Sequence, residues 1–450
     1  MEWMSAEDLA FGIRSQSFSS LDCVNFFAAR IERLDKEFNL VVVRLFDEAR
    51  ACAQEADLVV RRGRPVGPLH GVPMTIKECF AMKGTPTTCG WDRLKDYCPT
   101  ENAAVVDKLL GAGAIIIGKT NLPRLANDFQ SFNSIYGCSN NPWNVAHSPG
   151  GSSGGSAGAL AAGFTPIEVG SDIGGSIRGP AHCCGVVGLK PSLGVIDSSG
   201  HVPPAPFSRT PSNLYVVGPM ARCCSDLKLM LDILAGPPKS MQDGWTLKLS
   251  PPRKAAARDL RIAVCCDHDF CPVEPAISSA IESAAKSLAA EGAGVDFKAR
   301  PKIDFSSAIQ VFAKLLEAEQ AGMSAKLTHG DYLRNENARI KIKAAWADFF
   351  SEFDVFLCPV ANTPAIKHNH TEPAHKRRLN VNGVEVPYFS WVMWAGLIIL
   401  ADLPVTVVPV GESHDGLPIG VQIVAPAYQD RTSIQVGSFL EDCHRKFKAP

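Results

Sequence analysis

The chain has 450 residues, enough to bury a large hydrophobic core, and its 45 Lys and Arg residues nearly balance its 46 Asp and Glu residues. The resulting net charge of −1 provides no excess charge for holding nucleic acid, an anionic membrane or a polyanionic substrate. Hydrophobic residues at 46% and charged residues at 20% are ordinary for a globular protein, which excludes long disorder and collagen-like or coiled-coil architectures.

The cysteines and the apolar runs bear on the cellular compartment. Fifteen cysteines are spread along the chain without a C-x-x-C pair, which fits neither a disulfide framework nor a zinc-site spacing. The first residues show no secretory signal, and the longest apolar run, Trp391–Ala401, has eleven residues. A membrane-spanning helix needs about 20. We therefore expect a cytoplasmic protein without a membrane span.

The predicted elements alternate between helix and strand along the chain. The first sixty residues have helical patterns, with Ser5 and Ser19 as N-caps. Short apolar runs then predict buried strands at Val72–Ile76, Ala114–Ile117, Thr165–Val169, Leu260–Val264 and Val355–Pro359. Helical patterns lie between them at Ala103–Leu110, Ser225–Ala235 and Ala276–Ala290. This alternation predicts an α/β fold with a substantially parallel sheet. Residues 236–258, rich in Pro, Lys and Ser, form either a linker or a long surface excursion.

Two familiar motifs occur in the wrong structural context. Residues Gly113–Thr120 match the P-loop expression G-x-x-x-x-G-K-T, but their four variable residues belong to a predicted strand rather than to a phosphate-binding loop. Three G-x-S-x-G matches surround Ser152, Ser153 and Ser156. The nucleophile elbow of an α/β-hydrolase needs a strand directly before the serine, and turn-forming residues stand there instead. We therefore expect neither a nucleotide site nor such an elbow.

Three histidines near residue 370 are candidate metal ligands. His368, His370 and His375 lie in a polar segment bounded by prolines, without a clearly placed carboxylate. A solvated loop is the preferred interpretation of this segment. No metal and no cofactor is expected.

The glycines are concentrated in one part of the chain. Twelve of the 37 fall within the 39 residues from Gly150 to Gly188. Two Gly-Gly-Ser turns, within residues 148–156 and 170–178, flank a segment that begins as a small-residue helix and ends as a strand. Gly174-Gly175-Ser176 would let successive backbone N–H groups converge on one point, as stabilisation of an oxyanion requires. A serine at the end of that turn is well placed as a nucleophile.

A serine nucleophile needs a base. His182 follows Ser176 by six residues, but nothing in the local sequence directs it towards the hydroxyl. Lys77 ends an apolar run that would carry it into the interior, where loss of water lowers the pKa of an ammonium group and leaves an amine that can accept a proton. The residues alone leave open the alternative that Lys77 reaches the surface and the glycines serve close packing.

Together these motifs resemble the amidase signature family of serine amide hydrolases. The resemblance includes most of the chain in order: Gly71–Lys77, Gly118–Asn121, Asn141–Trp143, residues 148–191, Gly218–Arg222, Asp354–Pro359 and Leu403–Gln422. It implies one compact α/β domain over residues 1–450, with a large mixed, mostly parallel β-sheet covered by helices.

The resemblance also implies roles for individual residues. Ser176 would attack the amide carbonyl, Ser152, held in a cis peptide, would pass the proton, and Lys77 would be the base. The implied oxyanion donors are the backbone N–H groups of Ile173, Gly174, Gly175 and Ser176, and the implied supporting residues are Ser153, Ser171, Asp172 and Arg178. Ala126 falls on an acyl-pocket position, and we expect Phe129, Gln130, Phe132, Tyr388 and Trp391 to line the substrate pocket.

The expected activity is hydrolysis of a small or medium carboxamide to a carboxylic acid and ammonia or an amine. One alternative is the glutaminase subunit of a tRNA-dependent amidotransferase, but Tyr388–Val392 differs from the pattern of that subunit. Another alternative is an inactive amidase-like receptor or scaffold, which would be expected to lack one of Lys77, Ser152 and Ser176. The expected partner is a small-molecule amide, with no nucleic acid and no membrane span; a homodimer and peripheral membrane association are left open.

Overall fold

A computed structural model describes residues 1–203, 212–320 and 328–450. The α-helices are α1 (Ala6–Arg14), α2 (Ser20–Phe38), α3 (Phe46–Arg61), α4 (Ala104–Gly111), α5 (Gly154–Ala161), α6 (Arg178–Cys184), α7 (Cys224–Leu234), α8 (Pro275–Ala290), α9 (Phe305–Gln320), α10 (His329–Glu352), α11 (Met393–Ile399) and α12 (Asp430–Cys443). The strands are β1 (Val41–Arg44), β2 (Pro73–Lys77), β3 (Ile115–Thr120), β4 (Phe132–Asn133), β5 (Gly137–Cys138), β6 (Ile167–Asp172), β7 (Val187–Lys190), β8 (Val216–Ala221), β9 (Arg261–Val264), β10 (Gly294–Asp296), β11 (Val355–Pro359), β12 (Arg378–Val381), β13 (Val384–Pro387), β14 (Val405–Glu412) and β15 (Pro418–Val424).

The central sheet has eight strands in the order β10-β9-β11-β15-β14-β7-β8-β6. The predicted α/β class with a large mixed sheet is confirmed, but the expectation that the sheet is mostly parallel is wrong. Only the pairs that β9 makes with β10 and β11 are parallel among the described neighbours. The remaining neighbouring pairs are antiparallel. The strands β6 and β7 do run in the same direction around α6, but β8 is inserted between them, and the β14–β15 hairpin is inserted between β7 and β11. Alternation of helix and strand along the sequence carries no signal for such insertions.

Helices cover both faces of the sheet. Gly437 in α12 packs against Thr406 and Val408 of β14, whereas His182 in α6 packs beside Val407 and the neighbouring strand. Because successive side chains of a strand point to opposite faces, α6 and α12 lie on opposite sides of the sheet. The strands β6, β8 and β15 are buried at every residue, as expected for a sheet covered in this way.

A second, three-stranded sheet with the order β1-β3-β2 positions the lysine. The strands β2 and β3 are parallel, and β2 packs close to β6 of the central sheet. The P-loop-like residues 115–120 form β3, which confirms the prediction of a strand. Lys77 is the last residue of β2 and is fully buried. The small sheet therefore places Lys77 next to the end of β6, where the second Gly-Gly-Ser turn begins.

The predicted local elements agree with the structure to within a few residues, with one exception: the N-terminal part predicted as helical also contains β1, whose run of three β-branched valines suits a strand. The five predicted strands correspond to β2, β3, β6, β9 and β11, and the three later helices to α4, α7 and α8. Ser5 and Ser19 cap α1 and α2, each in a capping box with an aspartate three residues later. Residues 236–258 contain only short 3-10 turns. No helix in the described ranges is long and apolar enough to cross a lipid bilayer.

Candidate active site

Lys77 contacts two serine hydroxyls in the protein interior. Its Nζ lies 2.7 Å from Ser152 Oγ and 3.0 Å from Ser171 Oγ, and all three side chains are buried. Burial lowers the pKa of Lys77 from its ordinary value, because the ammonium form loses its water shell. This geometry excludes the alternative that the side chain reaches the surface.

The two Gly-Gly-Ser turns are hydrogen-bonded to each other. The N–H of Ser153 donates to the carbonyl oxygen of Ser176 at 3.1 Å, and the Ser153 hydroxyl lies 3.4 Å from both the N–H and the C=O of Ser171. The Gly151–Ser152 peptide bond is cis. Ser176 is 8% exposed, and its hydroxyl makes no hydrogen bond with any described residue. The Ser176 hydroxyl is therefore unpaired among the described residues.

Close backbone contacts explain why this tract is rich in glycine. A Cβ atom built on Gly151 would lie 2.4 Å from the carbonyl oxygen of Asp128, and one on Gly155 would lie 2.4 Å from the backbone nitrogen of Asn121. Both distances are far below van der Waals contact, and the atoms met belong to the backbone. The first turn can reach its position beside Lys77 only because these residues lack side chains.

Asp172 organises the second turn. Its carboxylate accepts hydrogen bonds from the N–H groups of Gly175 at 2.7 Å and Ile177 at 3.0 Å. It also accepts from Nε and Nη2 of Arg178, at 3.0 and 2.8 Å. Burial opposes ionisation of Asp172, but the charge of Arg178 and these hydrogen bonds outweigh it and lower the pKa to about 2. Arg178 in turn donates to the Ala395 carbonyl and to Gln422, which ties the turn to the core.

The backbone N–H groups of the second turn differ in availability. The N–H of Gly175 is already bonded to Asp172. Among the described hydrogen bonds, none uses the N–H of Ile173, Gly174 or Ser176. Three of the four expected oxyanion donors are therefore unpaired in this geometry.

His201 is part of the same network, and the sequence did not predict its place there. Its Nδ1 lies 2.7 Å from the Pro203 carbonyl oxygen, so Nδ1 carries the proton and Nε2, 2.8 Å from Ser171 Oγ, accepts from that hydroxyl. Burial and the nearby Lys77 lower the pKa of His201 to about 3, which keeps the ring neutral. No sequence signal relates His201 to a serine 30 residues earlier. His182, by contrast, bonds the Thr363 carbonyl and the N–H of Gly420, and has a structural role.

Glu168 is a second buried group that no sequence motif singled out. It lies on β6, and one of its carboxyl oxygens has no hydrogen-bond partner among the described residues. Burial raises the pKa of Glu168 to about 7. The negative charge of Glu168 raises the pKa of Lys77 and so opposes the larger effect of burial on that amine.

An aromatic wall stands beside the two turns. The ring of Phe129 lies 5.3 Å from Tyr388, 5.7 Å from Phe389 and 5.7 Å from Trp391, measured between centroids. The backbone of Phe129 packs on Gly151, and Trp391 packs on Gly179 shortly after Ser176. We call Phe129, Tyr388, Phe389 and Trp391 the aromatic wall.

The other expected pocket residues have different environments. Gln130 is buried, and its amide bonds Asn369 and the Tyr388 hydroxyl, so it holds two loops together. Ala126 lies half-buried in the turn Arg124–Ala126. Phe132 stacks on His370 with the centroids 4.1 Å apart.

Comparison with known proteins agrees with this geometry. A family model described as Amidase matches residues 22–318 and 302–434. Indoleacetamide hydrolase from Bradyrhizobium diazoefficiens is 31% identical over 465 residues, which covers 98% of this chain and 86% of that protein. A glutamyl-tRNA(Gln) amidotransferase subunit from Chloroflexus aggregans is 31% identical over 457 residues, covering 91% of this chain and 90% of that protein.

A solved structure gives the same result for the fold. The crystal structure of a bacterial aryl acylamidase of the amidase signature family matches with a TM-score of 0.85 at 26% identity. The match covers 98% of this chain and 96% of the other. The matches in sequence and fold extend over nearly the whole chain, and the first range matched by the family model spans Lys77 and both Gly-Gly-Ser turns. The chain therefore belongs to the amidase signature family of carbon–nitrogen hydrolases.

Proposed function

We propose that this protein is a free-standing amidase that hydrolyses a small or medium carboxamide through an acyl-enzyme on Ser176. The observation that carries the proposal is the 2.7 Å contact between Lys77 Nζ and Ser152 Oγ in a fully buried setting. The hydrogen bond from the Ser153 N–H to the Ser176 carbonyl holds the relay serine and the nucleophile on adjacent turns. A base, a relay and a nucleophile are thus available in one place.

In the proposed first step, Ser176 Oγ attacks the amide carbonyl carbon and its proton moves to Ser152, whose own proton moves to neutral Lys77. The C–N bond then breaks, and the proton returns through Ser152 to the leaving nitrogen. This return is essential because an amide anion does not depart unprotonated. Water then attacks the acyl-enzyme by the same route, which releases the carboxylic acid and regenerates Ser176.

The network around Ser171 supports the direction of this proton transfer. The Ser171 hydroxyl donates a hydrogen bond to His201, so its oxygen accepts a hydrogen bond from an N–H of Lys77. Burial favours the neutral amine of Lys77, which has one lone pair. Because one N–H of Lys77 is directed to Ser171, the lone pair of the amine can accept the hydroxyl proton of Ser152. General base catalysis of this kind contributes roughly 10²–10⁴-fold to the rate.

The oxyanion of the tetrahedral intermediate would be stabilised by the backbone N–H groups of Ile173, Gly174 and Ser176. The N–H of Gly175 instead serves Asp172, which fixes the shape of the turn. Each well-placed donor of this type is worth roughly 10²–10³-fold in kcat.

For the substrate, we propose a carboxamide that carries an aromatic or extended apolar group. The exposed ring of Phe389 and the half-buried ring of Phe129 support this choice, because aromatic rings favour edge and offset contacts with another ring. Tyr388 and Trp391 are buried and pack against Phe129. The similarity to indoleacetamide hydrolase and to an aryl acylamidase points in the same direction.

A panel of primary amides tests the proposal. We expect ammonia release from phenylacetamide and indole-3-acetamide, weaker release from acetamide, and none from the Ser176→Ala variant. Ser156→Ala is the matched control, because that hydroxyl lies in the same tract but bonds Thr120. Full activity in Ser176→Ala, or loss of activity in Ser156→Ala to the same extent, would contradict the proposal.

The second candidate is the glutaminase component of a tRNA-dependent amidotransferase. The similarity to a glutamyl-tRNA(Gln) amidotransferase subunit over 91% of this chain favours it. The same panel separates the two candidates when it includes L-glutamine. A free-standing amidase hydrolyses aromatic amides without a second protein, whereas a glutaminase component would act on glutamine and leave the aromatic amides intact.

We also propose a cytoplasmic location. All fifteen cysteines lie in the described ranges and all are free, as is usual in a reducing compartment. Cell fractionation with an antibody against the native chain tests this proposal. A homodimer stays a prediction, which light scattering of the purified protein would test.

A further inference from the structure

A cysteine and two histidines from distant parts of the chain meet at one point outside the active site. Cys138 Sγ lies 3.7 Å from His368 Nδ1 and 3.8 Å from His370 Nε2, although 230 and 232 residues separate them in sequence. All three donor atoms lie within 4.8 Å of one another. His375, which the sequence groups with the other two histidines, is exposed on a separate turn. The sequence-based interpretation of a plain solvated loop misses this convergence.

The two sulphur–nitrogen distances are close to those of a tetrahedral metal site. Zinc binds thiolate at about 2.3 Å and imidazole at about 2.0–2.1 Å in tetrahedral geometry, which places sulphur and nitrogen about 3.6 Å apart. The two sulphur–nitrogen distances exceed that value by only a few tenths of an ångström. The thiol can donate to one imidazole nitrogen, and its sulphur can accept a weak hydrogen bond from the other ring's N–H. A metal site is therefore indicated by the convergence of three ligand atoms at near-coordination distances, and metal binding distinguishes it from a hydrogen-bonded cluster.

Contacts on both sides hold the three donors in place. Cys138 lies on β5, and its carbonyl accepts a hydrogen bond from Asn39 Nδ2 at 3.1 Å. The N–H of His368 donates to the Ala146 carbonyl at 3.2 Å. The ring of His370 is stacked on the ring of Phe132, at the start of the β4–β5 hairpin. Pre-positioned donors lose little conformational entropy when they bind an ion.

Asn140 adds an oxygen to the same cluster. Its Nδ2 donates to the Glu37 carbonyl at 2.8 Å, and its Oδ1 lies 3.9 Å from Cys138 Sγ. The amide is thus oriented with its oxygen towards the sulphur. Either this oxygen or a water molecule would complete a fourth coordination position.

We propose that Cys138, His368 and His370 bind one Zn²⁺ ion that joins the β4–β5 hairpin to residues 366–370. One sulphur and two imidazole nitrogens suit a borderline-soft ion, whereas Mg²⁺ and Ca²⁺ prefer oxygen ligands. On binding, the Cys138 thiol releases its proton to solvent, and no redox change occurs. The site is separate from the serine–lysine network.

The ion would stiffen the support of the aromatic wall. Asn369 lies between the two histidines, and its N–H donates to Gln130 Oε1 at 3.0 Å. Gln130 directly follows Phe129 of the aromatic wall. We therefore expect Zn²⁺ to raise the melting temperature of the protein.

The test is metal binding by the full chain after treatment with a chelator. Equilibrium dialysis against Zn²⁺ followed by elemental analysis is expected to give one ion per chain. With Co²⁺ in place of Zn²⁺, a thiolate charge-transfer band and the intense visible bands of tetrahedral cobalt are expected. Cys138→Ser is expected to abolish the charge-transfer band and to weaken Zn²⁺ binding at least tenfold, and His370→Ala to weaken it similarly.

The control variant is His375→Ala, which removes a neighbouring exposed histidine outside the cluster. We expect this variant to bind one Zn²⁺ and to show the same rise in melting temperature as the wild type. Three results would overturn the proposal: no Zn²⁺ retained by the wild type, a cobalt spectrum without the thiolate band, or equal loss of binding in His375→Ala. Circular dichroism on each variant confirms that the fold is intact.

Discussion

Replacement of Lys77 by methionine separates the chemistry of this residue from its packing. Methionine fills nearly the same buried volume without an amine. The change removes the contacts that Nζ makes with Ser152 at 2.7 Å and Ser171 at 3.0 Å. Ser171 keeps its hydrogen bond to His201, so Ser152 is the residue whose hydroxyl loses its only partner among the described residues.

The expected loss of activity is large and the expected loss of stability is small. Without the base, kcat falls roughly 10²–10⁴-fold, which corresponds to about 3–5 kcal/mol of activation free energy. An unpaired, buried Ser152 hydroxyl costs about 1–3 kcal/mol of folding free energy. Because the variant no longer buries an amine, part of that cost is offset. The melting temperature is therefore expected to stay close to that of the wild type.

The assay compares kcat/KM for an aromatic amide with thermal unfolding followed by circular dichroism. Lys190→Met is the matched control, because Lys190 is equally buried but its Nζ bonds the Pro191 carbonyl. We expect this control to be active. A folded Lys77→Met variant that retains more than about a tenth of wild-type kcat would refute the assignment of the base. Equal inactivation of Lys190→Met would show that the loss reflects a buried lysine in general.

Three further predictions rest on the same geometry. Burial lowers the pKa of Lys77, so wild-type kcat/KM should increase with pH as the amine loses its proton, with an inflection at a pH below the ordinary lysine pKa of about 10.4. Lys77→Met should lose this inflection. Asp172→Asn leaves Arg178 as an unpaired buried charge, so chemical denaturation should show a loss of about 3–5 kcal/mol, and a variant as stable as the wild type would contradict the ion pair. Gly151→Ala places a methyl group against backbone and should cost about 1–3 kcal/mol, with a loss of activity. Gly111→Ala, where the added methyl meets open space, should be stable and active, and equal behaviour of the two variants would contradict the packing argument.

Much of the candidate site could be predicted because its signals are local. The strand before Lys77 is a continuous apolar run, and both serines follow paired glycines, so short windows carry the information. The N-caps Ser5 and Ser19 were predictable for the same reason, since a capping box needs only residues three apart. The resemblance to a known family then related Lys77 to the two turns.

The remaining features depend on contacts between distant segments. The β14–β15 hairpin lies between β7 and β11, and β8 lies between β6 and β7; these two insertions make most neighbouring strand pairs antiparallel. The side-chain contacts of His201 with Ser171, and of Cys138 with His368, join residues 30 and 230 positions apart. Periodicity and residue spacing describe single segments and cannot predict which distant residues come into contact.

The sequence also could not predict which backbone N–H groups of the second turn are free to bind an oxyanion. The motif Gly174-Gly175-Ser176 predicts a turn that can gather N–H groups, and the resemblance implied four of them. The structure directs the N–H of Gly175 to Asp172. Which amide a carboxylate takes depends on the torsion angles of the turn, such as the φ of +111° at Gly175.

The proposed mechanism depends above all on Ser176 as the nucleophile. Its most direct test is to treat the purified protein with a fluorophosphonate and to map the modified peptide by mass spectrometry. We predict one adduct per chain, on Ser176, with the neighbouring serines 152, 153 and 156 unmodified, and much slower labelling of Lys77→Met. An active protein in which Ser176 stays unmodified, or an adduct on Ser152 instead, would contradict the mechanism.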